Sequence, residues 1–551
     1  MAFLLLLLTV LGLLLVWPIF ASITAIYNNY RRDKHIGLPI VISPINPLAP
    51  WYWILKGSLL PIFKRLGLET YFKYTDYSFQ YEDRYYTHEK LGPAFLSVSP
   101  GETTLYVADP IAADEMQLRW KEYVKSDYIY QAMELFGPNV DSVNGETWQR
   151  HRRITAPPFN ERNSALVWRE SLEQASGMLD GWIKTTQSGH AVERTDLELM
   201  KLALHVLSGA GFGRKYEFGQ SVTDIPPGYT MSYRDALAMI LTNLMVAILA
   251  RDLPIPDAIT PKYMREMRTA MKEFTQYMED MLQQERTAVH KNETQKVNLL
   301  SALVRALETS EGRSSLSDHE IYGNLFVWNL AGHDTTANTL TYAISWLATD
   351  RKWQEWIGEE VKHVLGSDSK PEDWEYEKVF PRLKRCLALM YETLRLYCPV
   401  MSTPRYTGNS TLPLTIAGKT YTIPPRTHVS VHLAAIQSNP NIWGKDALIW
   451  RPDRWIKSSP DNGLEGEGIV EPARGTFMPW SVGPRQCPGK KFAQVEFVAV
   501  IARLMSSHRV KVAPGGSVPE LVETIKDSEI GVTLKLKHPE KVKLVWEEVA
   551  Q

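Results

Sequence analysis

Three cysteines in 551 residues, Cys386, Cys398 and Cys487, are too few for several chemistries at once. They exclude a disulfide scaffold, a four-cysteine zinc site and an all-cysteine iron–sulfur cluster. The odd, low count fits a reducing compartment and leaves room for one functional thiolate. Surplus charge is missing too: 61 basic residues face 62 acidic ones, a formal net charge of -1, so nothing in the composition points to nucleic acid. Repeats and low-complexity tracts are absent. What is present is 44% hydrophobic and 22% charged residues, the mix of an ordinary globular chain. Its length suits two or three domains or one unusually large one.

No residue from Met1 to Tyr30 is charged, and residues 2–27 are almost entirely apolar. As a helix these would be about 39 Å long, enough to cross a bilayer with some tilt. A cleaved signal peptide fits less well, because the first residues carry no positive charge and no small-residue cleavage site closes the run. Arg31, Arg32 and Lys34 follow it, which keeps the rest of the chain cytosolic under the positive-inside rule. Prolines 39, 44, 47 and 50 then mark residues 28–50 as a basic flank and stiff spacer. The expectation is a single-pass anchor over 2–27, residence on the endoplasmic reticulum facing the cytosol, and a catalytic body over 51–551.

Helical periodicity dominates that body, near 161–184, 194–212, 262–290, 317–349, 351–365, 380–397 and 487–507. Short alternating stretches at Ala94–Val98, Leu105–Val107, Tyr421–Ile423 and Val532–Leu536 read as strands. The fold class is therefore mainly α with small β-sheets, with no interior linker. The uncharged run inside 235–251 is 15 residues, too short to span a membrane. It suits a buried core helix, or a lid helix along an apolar substrate route.

Three local patterns carry chemistry. In Trp480-Ser-Val-Gly-Pro-Arg-Gln-Cys487-Pro-Gly-Lys-Lys-Phe492, glycines and prolines bracket a cysteine ahead of an apolar helical pattern. Pro488 at a first helical position would put Cys487 at a helix N-terminus, where a thiolate is favoured; an inert buried cysteine is the commoner alternative. Ala331-Gly-His-Asp-Thr-Thr336 places helix-weakening residues inside a long apolar helix, which suggests a local opening with an acid and a hydroxyl facing a cavity. His333 is expected to point away from that cavity. Glu392 and Arg395, three apart on an apolar helix, form a pair needing a further partner, for which Arg454 is a candidate.

Together these segments resemble the cytochrome P450 superfamily over most of the chain after the anchor. The cysteine segment resembles its haem loop, Ala331–Thr336 its oxygen-activation motif and Glu392–Arg395 its E-x-x-R helix. Residues 450–455 resemble its meander, and Trp148-Gln-Arg-His-Arg152 its W-x-x-x-R helix. Trp480 stands where the family usually has phenylalanine, and Asp453 and Trp455 replace glutamate and phenylalanine.

The resemblance implies a P450 fold and haem b with Cys487 as axial thiolate. Trp148, Arg152, Arg405 and Arg485 would bind the haem propionates. Asp334 and Thr335 would relay protons during dioxygen activation, and Glu392, Arg395 and Arg454 would form a structural network. It implies a monooxygenase that takes O2 and electrons from a separate NADPH-dependent flavoprotein reductase and oxidises a lipophilic small molecule, in the style of fungal terpenoid or polyketide enzymes. Arg150, Arg152, Arg153, Lys490 and Lys491 are candidates for the reductase-docking face. Candidate pocket walls are 126–138, 235–250, Asn324, Val327, Trp328 and 400–403. Rival functions are a haem-thiolate isomerase or dehydratase consuming a peroxide, and a non-catalytic membrane haem protein. The sequons at Asn292 and Asn409 would stay unmodified on a cytosolic body.

Overall fold

The computed structural model describes residues 2–219, 225–256, 258–291, 298–308, 315–366, 369–459 and 463–549. The chain groups into two compact units, each drawn from three segments: residues 1–129, 401–447 and 473–486, and residues 130–400, 448–472 and 487–551.

The first unit is built on a five-stranded sheet in the order Ile40–Ile42, Ala94–Val98, Thr103–Val107, His428–His432, Ser402–Tyr406. Ile40–Ile42 pairs parallel to its neighbour, as do Thr103–Val107 and His428–His432, and the other two pairings are antiparallel. Leu96, Leu105, Val107, Val429 and Val431 are fully buried in its core. The segment read as a spacer therefore supplies a strand, because its Ile-Val-Ile run offers a backbone edge that the sheet can pair. The basic flank is also engaged: Arg32 donates to Asp33 at 2.7 Å, and buried Asp33 accepts from Thr103 at 2.5 Å. A helix runs Ala2–Asp33, with Pro18 inside it. Among the described residues no single helix is long and apolar enough to cross a membrane, and the side chains of residues 2–15 lie outside those described.

The second unit is helical. Glu161–Gln187 begins at an Asn160 cap whose side chain accepts from the Asn163 N–H at 3.1 Å. It packs against Lys490–Ser507, in which Phe497, Val498, Val500 and Ile501 are fully buried. The central helix, Asp318–Leu347, is continuous over 30 residues and opens on a capping box between Ser317 and Glu320. Its length is about 45 Å, and it is buried on nearly every side, as an apolar helix must be.

Two expected elements differ in detail. The run at 235–251 forms two helices, Tyr233–Thr242 and Leu244–Asp252, bent by 93°. Ala236, Leu237, Ile240, Ala247 and Ala250 are buried, so it does serve a core. The helix expected over 194–212 is α-helical only over Thr195–Val206 and ends in a π turn, Leu207–Gly211. That widening puts Leu207 against Gly332, where a Cβ would lie 3.1 Å from its Cδ2 atom. Asn409 is exposed, while Asn292 lies outside the described residues.

Candidate functional site

Within the second unit the site starts at Cys487. The last long helix begins at Lys490, with Gly489 as its cap, so Cys487 precedes the helix and Pro488 is not its first residue. The expected helix start at Pro488 is thereby corrected by two residues to Lys490: the Cys-Pro-Gly turn completes before the helix starts. Cys386 and Cys398 are buried, and burial pushes both thiols up, the latter to about 12. Cys487 is exposed. A Cβ on Gly489 would sit 3.8 Å from the Cys487 Sγ and 3.9 Å from the Phe159 ring, so bare backbone flanks the sulfur. Phe159 meets Trp328 of the central helix edge to face, with centroids 5.7 Å apart.

The helix Gly145–Thr155 brings Trp148 and Arg152 to this unit. Trp148 is buried. Burial lowers the half-buried Arg152 guanidinium from its ordinary value, and the charge interaction opposing that is with Cys487.

Beyond its exposed first turn, the central helix interrupts its burial around Ala331. Ala331 is exposed and Gly332, Asp334 and Thr335 are partly so, between buried Leu330 and Thr336. The helix does not open there, as had been expected. Instead the Thr335 hydroxyl donates to the Ala331 carbonyl at 2.8 Å, satisfying its hydrogen within the helix. Asp334 accepts from the Thr533 hydroxyl, and Asn338 donates to that same hydroxyl at 3.0 Å. Thr533 is 199 residues away, and nothing local in the sequence marks it. His333 is buried and bonded through Nδ1 to the Asn329 carbonyl, away from the exposed patch, and burial lowers its pKa.

Glu392 and Arg395 are both fully buried. The carboxylate accepts from Arg395 Nε and Nη2 at 2.9 and 2.8 Å and from Arg454 Nε at 2.9 Å. The Arg451 N–H at 2.8 Å and the Trp455 indole at 3.0 Å complete the set. Arg454 is thus the expected third partner, while the indole bond follows from the Trp455 departure and was not anticipated.

In the first unit, Arg405 is buried on the sheet strand Ser402–Tyr406, donates to the Gln117 amide oxygen, and donates to the Pro404 carbonyl at 3.2 Å. Arg485 lies 6.0 Å over the Trp120 ring.

Two sequence expectations need correcting. Arg150 is not a free docking cation: it donates to the Ser315 carbonyl at 2.7 Å and to Glu320 at 2.5 and 3.0 Å. Asn324 is not a pocket wall, because it is fully buried with both ends of its amide bonded to protein.

The cytochrome P450 family model matches residues 72–540. A cytochrome P450 monooxygenase of Arthrobotrys oligospora is 30% identical, covering 97% of each chain. The phomenoic acid biosynthesis cluster cytochrome P450 monooxygenase of Leptosphaeria maculans is also 30% identical, covering 92% of this chain and 91% of its own. The echinocystic acid 23-monooxygenase of Saponaria officinalis is 27% identical over 69% of each. The family uses haem b with a cysteine thiolate ligand, O2 and electrons from a reductase, and its members bind lipophilic substrates. With a match this extensive, the chain belongs to the cytochrome P450 family as a P450 monooxygenase.

Proposed function

We propose that this enzyme inserts one oxygen atom from O2 into a lipophilic fungal secondary metabolite, a terpenoid or polyketide intermediate, while anchored by residues 2–27. Two observations in the second unit carry the reading: an exposed Cys487 that interacts electrostatically with Arg152, and a partly exposed patch at Ala331, Asp334 and Thr335 in the interior of an otherwise buried helix. These residues suit haem: an accessible thiol, a bare glycine backbone beside it, and guanidinium for carboxylate. Cys487 is the proposed axial ligand. Trp148 and Arg152, with Arg405 and Arg485 by their motif positions, are assigned to the propionates. Haem supplies the reduction of dioxygen and the oxygen insertion.

The chain's own residues supply the rest. The Thr335 hydrogen is committed to the Ala331 carbonyl, so its oxygen is left to accept a hydrogen bond. Asp334 is held from behind by Thr533 and can pass protons from water to that position. Glu392 with its arginines and Trp455 keeps the fold rigid and touches no substrate. Residues 51–551 form the catalytic body.

Electrons are proposed to come from an NADPH-dependent flavoprotein reductase. Its docking face draws on exposed Arg153 and on Lys490 and Lys491, with Arg150 withdrawn to Glu320. The anchor reading is supported by the uncharged run and the Arg31, Arg32 and Lys34 flank. A relative named for a phomenoic acid biosynthesis cluster and one named as an echinocystic acid 23-monooxygenase support a small-molecule metabolite as substrate.

The test is coupling: reconstituted with reductase and substrate, Thr335→Ala should release several-fold more peroxide per NADPH, and Thr533→Val should do so more weakly. Unchanged coupling in Thr335→Ala would remove the proton role.

A further inference from the structure

The start of the central helix carries a half-buried polar junction that the haem chemistry does not use. Glu320 is its hub. One carboxylate caps its own helix, accepting from the Ser317 N–H at 2.9 Å and the Ser317 hydroxyl at 3.1 Å. It also takes both terminal nitrogens of Arg150 and the His151 Nε2 at 3.2 Å, from the helix that carries Arg152. These donors hold the Glu320 carboxyl down at about 2, even though burial opposes them.

One turn further on, Asn324 locks the arrangement. Its Oδ1 accepts from the Val140 N–H at 2.9 Å, which fixes which end of the amide is oxygen. Its Nδ2 therefore donates, to the His151 Nδ1 at 3.0 Å and to the Glu320 carbonyl at 2.6 Å. With Nδ1 accepting, the proton of neutral His151 sits on Nε2 and is directed at Glu320. The ring is fully buried and burial lowers its pKa, in keeping with that neutral form. Backbone contact tightens the junction: a Cβ on Gly323 would collide with the Gly137 and Pro138 carbonyls, and one on Gly137 with the His319 carbonyl.

Adjacent residues Arg150 and His151 are thus clamped by one carboxylate and one amide, and the next residue is Arg152. Two clamped neighbours fix both the height and the rotation of their helix. We infer that Glu320, acting through Arg150 and His151, is the positioning residue that aims the Arg152 guanidinium. The inference rests on the reading that Arg152 binds a haem propionate. Glu320 itself touches none of the reacting atoms. Its charge holds the clamp, and charge-assisted bonds are about twice as strong as neutral ones.

Haem retention tests this without turnover. Full-length ferric enzyme is mixed with excess apomyoglobin, and haem transfer is timed for Glu320→Gln, Arg152→Ala and the double variant. Glutamine preserves the capping box, so folding is expected to persist. Glu320→Gln should speed haem loss about fivefold, in line with a weakened charge-assisted clamp, and should add nothing in the Arg152→Ala background. His151→Gln, which cuts the link from the other side, should show the same dependence on Arg152. Equal acceleration by Glu320→Gln with and without Arg152, or no acceleration beside a fast Arg152→Ala, overturns the positioning role. If Arg152→Ala itself loses haem no faster than the native enzyme, the propionate reading fails, and the inference falls with it.

Discussion

Replacing Trp455 with phenylalanine isolates one bond of the buried charge network. The indole N–H reaches Glu392 Oε2 at 3.0 Å, and both residues are buried. Phenylalanine keeps most of the apolar contact and deletes that donor. A hydrogen bond to a charged group contributes about 1.5–3 kcal/mol. Because four other donations still reach the carboxylate, the expected loss is about 2 kcal/mol rather than the larger penalty of an unpaired buried charge. Trp443→Phe is the control. Its indole donates at 3.1 Å to the neutral Ile436 carbonyl from a half-buried position, so about 1 kcal/mol is expected. Urea unfolding followed by far-ultraviolet circular dichroism compares the two, with haem content measured alongside. A Trp455→Phe loss no larger than that of Trp443→Phe would refute the claim that the indole is part of the network's stabilisation.

Two glycines of the central helix should respond differently to alanine. At Gly323 the added Cβ meets backbone carbonyls that cannot rotate away, so Gly323→Ala should cost above about 3 kcal/mol. At Gly332 it meets only the end of Leu207 at 3.1 and 3.3 Å, and the strain, about 1–3 kcal/mol, is partly offset by alanine's helix propensity. Urea midpoints that rank the two variants the other way would contradict the packing described. Glu360 gives a pH prediction. Burial raises its carboxyl to about 7, while it accepts the Arg385 and Cys386 N–H groups at 2.6 and 3.0 Å. The folded state therefore keeps a proton that the unfolded chain gives up, and stability falls as pH rises from about 4.5 to 7. Glu360→Gln should remove that fall, gaining about 2 kcal/mol on the native enzyme between pH 5 and pH 8. Parallel stability–pH curves for the two proteins would count against it.

The long helices and the motif residues were legible because each is written locally. Apolar spacing marks Lys262–His290 to the residue and the start of Glu161–Gln187, whose end lies three residues beyond the expected 184, and the Glu392–Arg395 spacing announces its own pair. What escaped depends on distant partners. Thr533 meets Asp334 across 199 residues, and Glu320 clamps His151 across 169. The bend between Tyr233–Thr242 and Leu244–Asp252 falls inside an apolar run whose periodicity gives no warning of it. Arg150 looked like one cation in a basic cluster, because composition cannot tell a surface charge from one claimed by a carboxylate on another helix. Ile40–Ile42 was hidden by the prolines around it.

The central claim is that Cys487 holds the haem iron as a thiolate, and the carbon monoxide difference spectrum of the reduced full-length protein tests it most directly. The account predicts the strongly red-shifted Soret band of haem with thiolate opposite carbon monoxide, abolished in Cys487→Ala and kept in Cys386→Ala and Cys398→Ala. A band at the position of histidine-ligated haem, or a shifted band that survives Cys487→Ala, would contradict it.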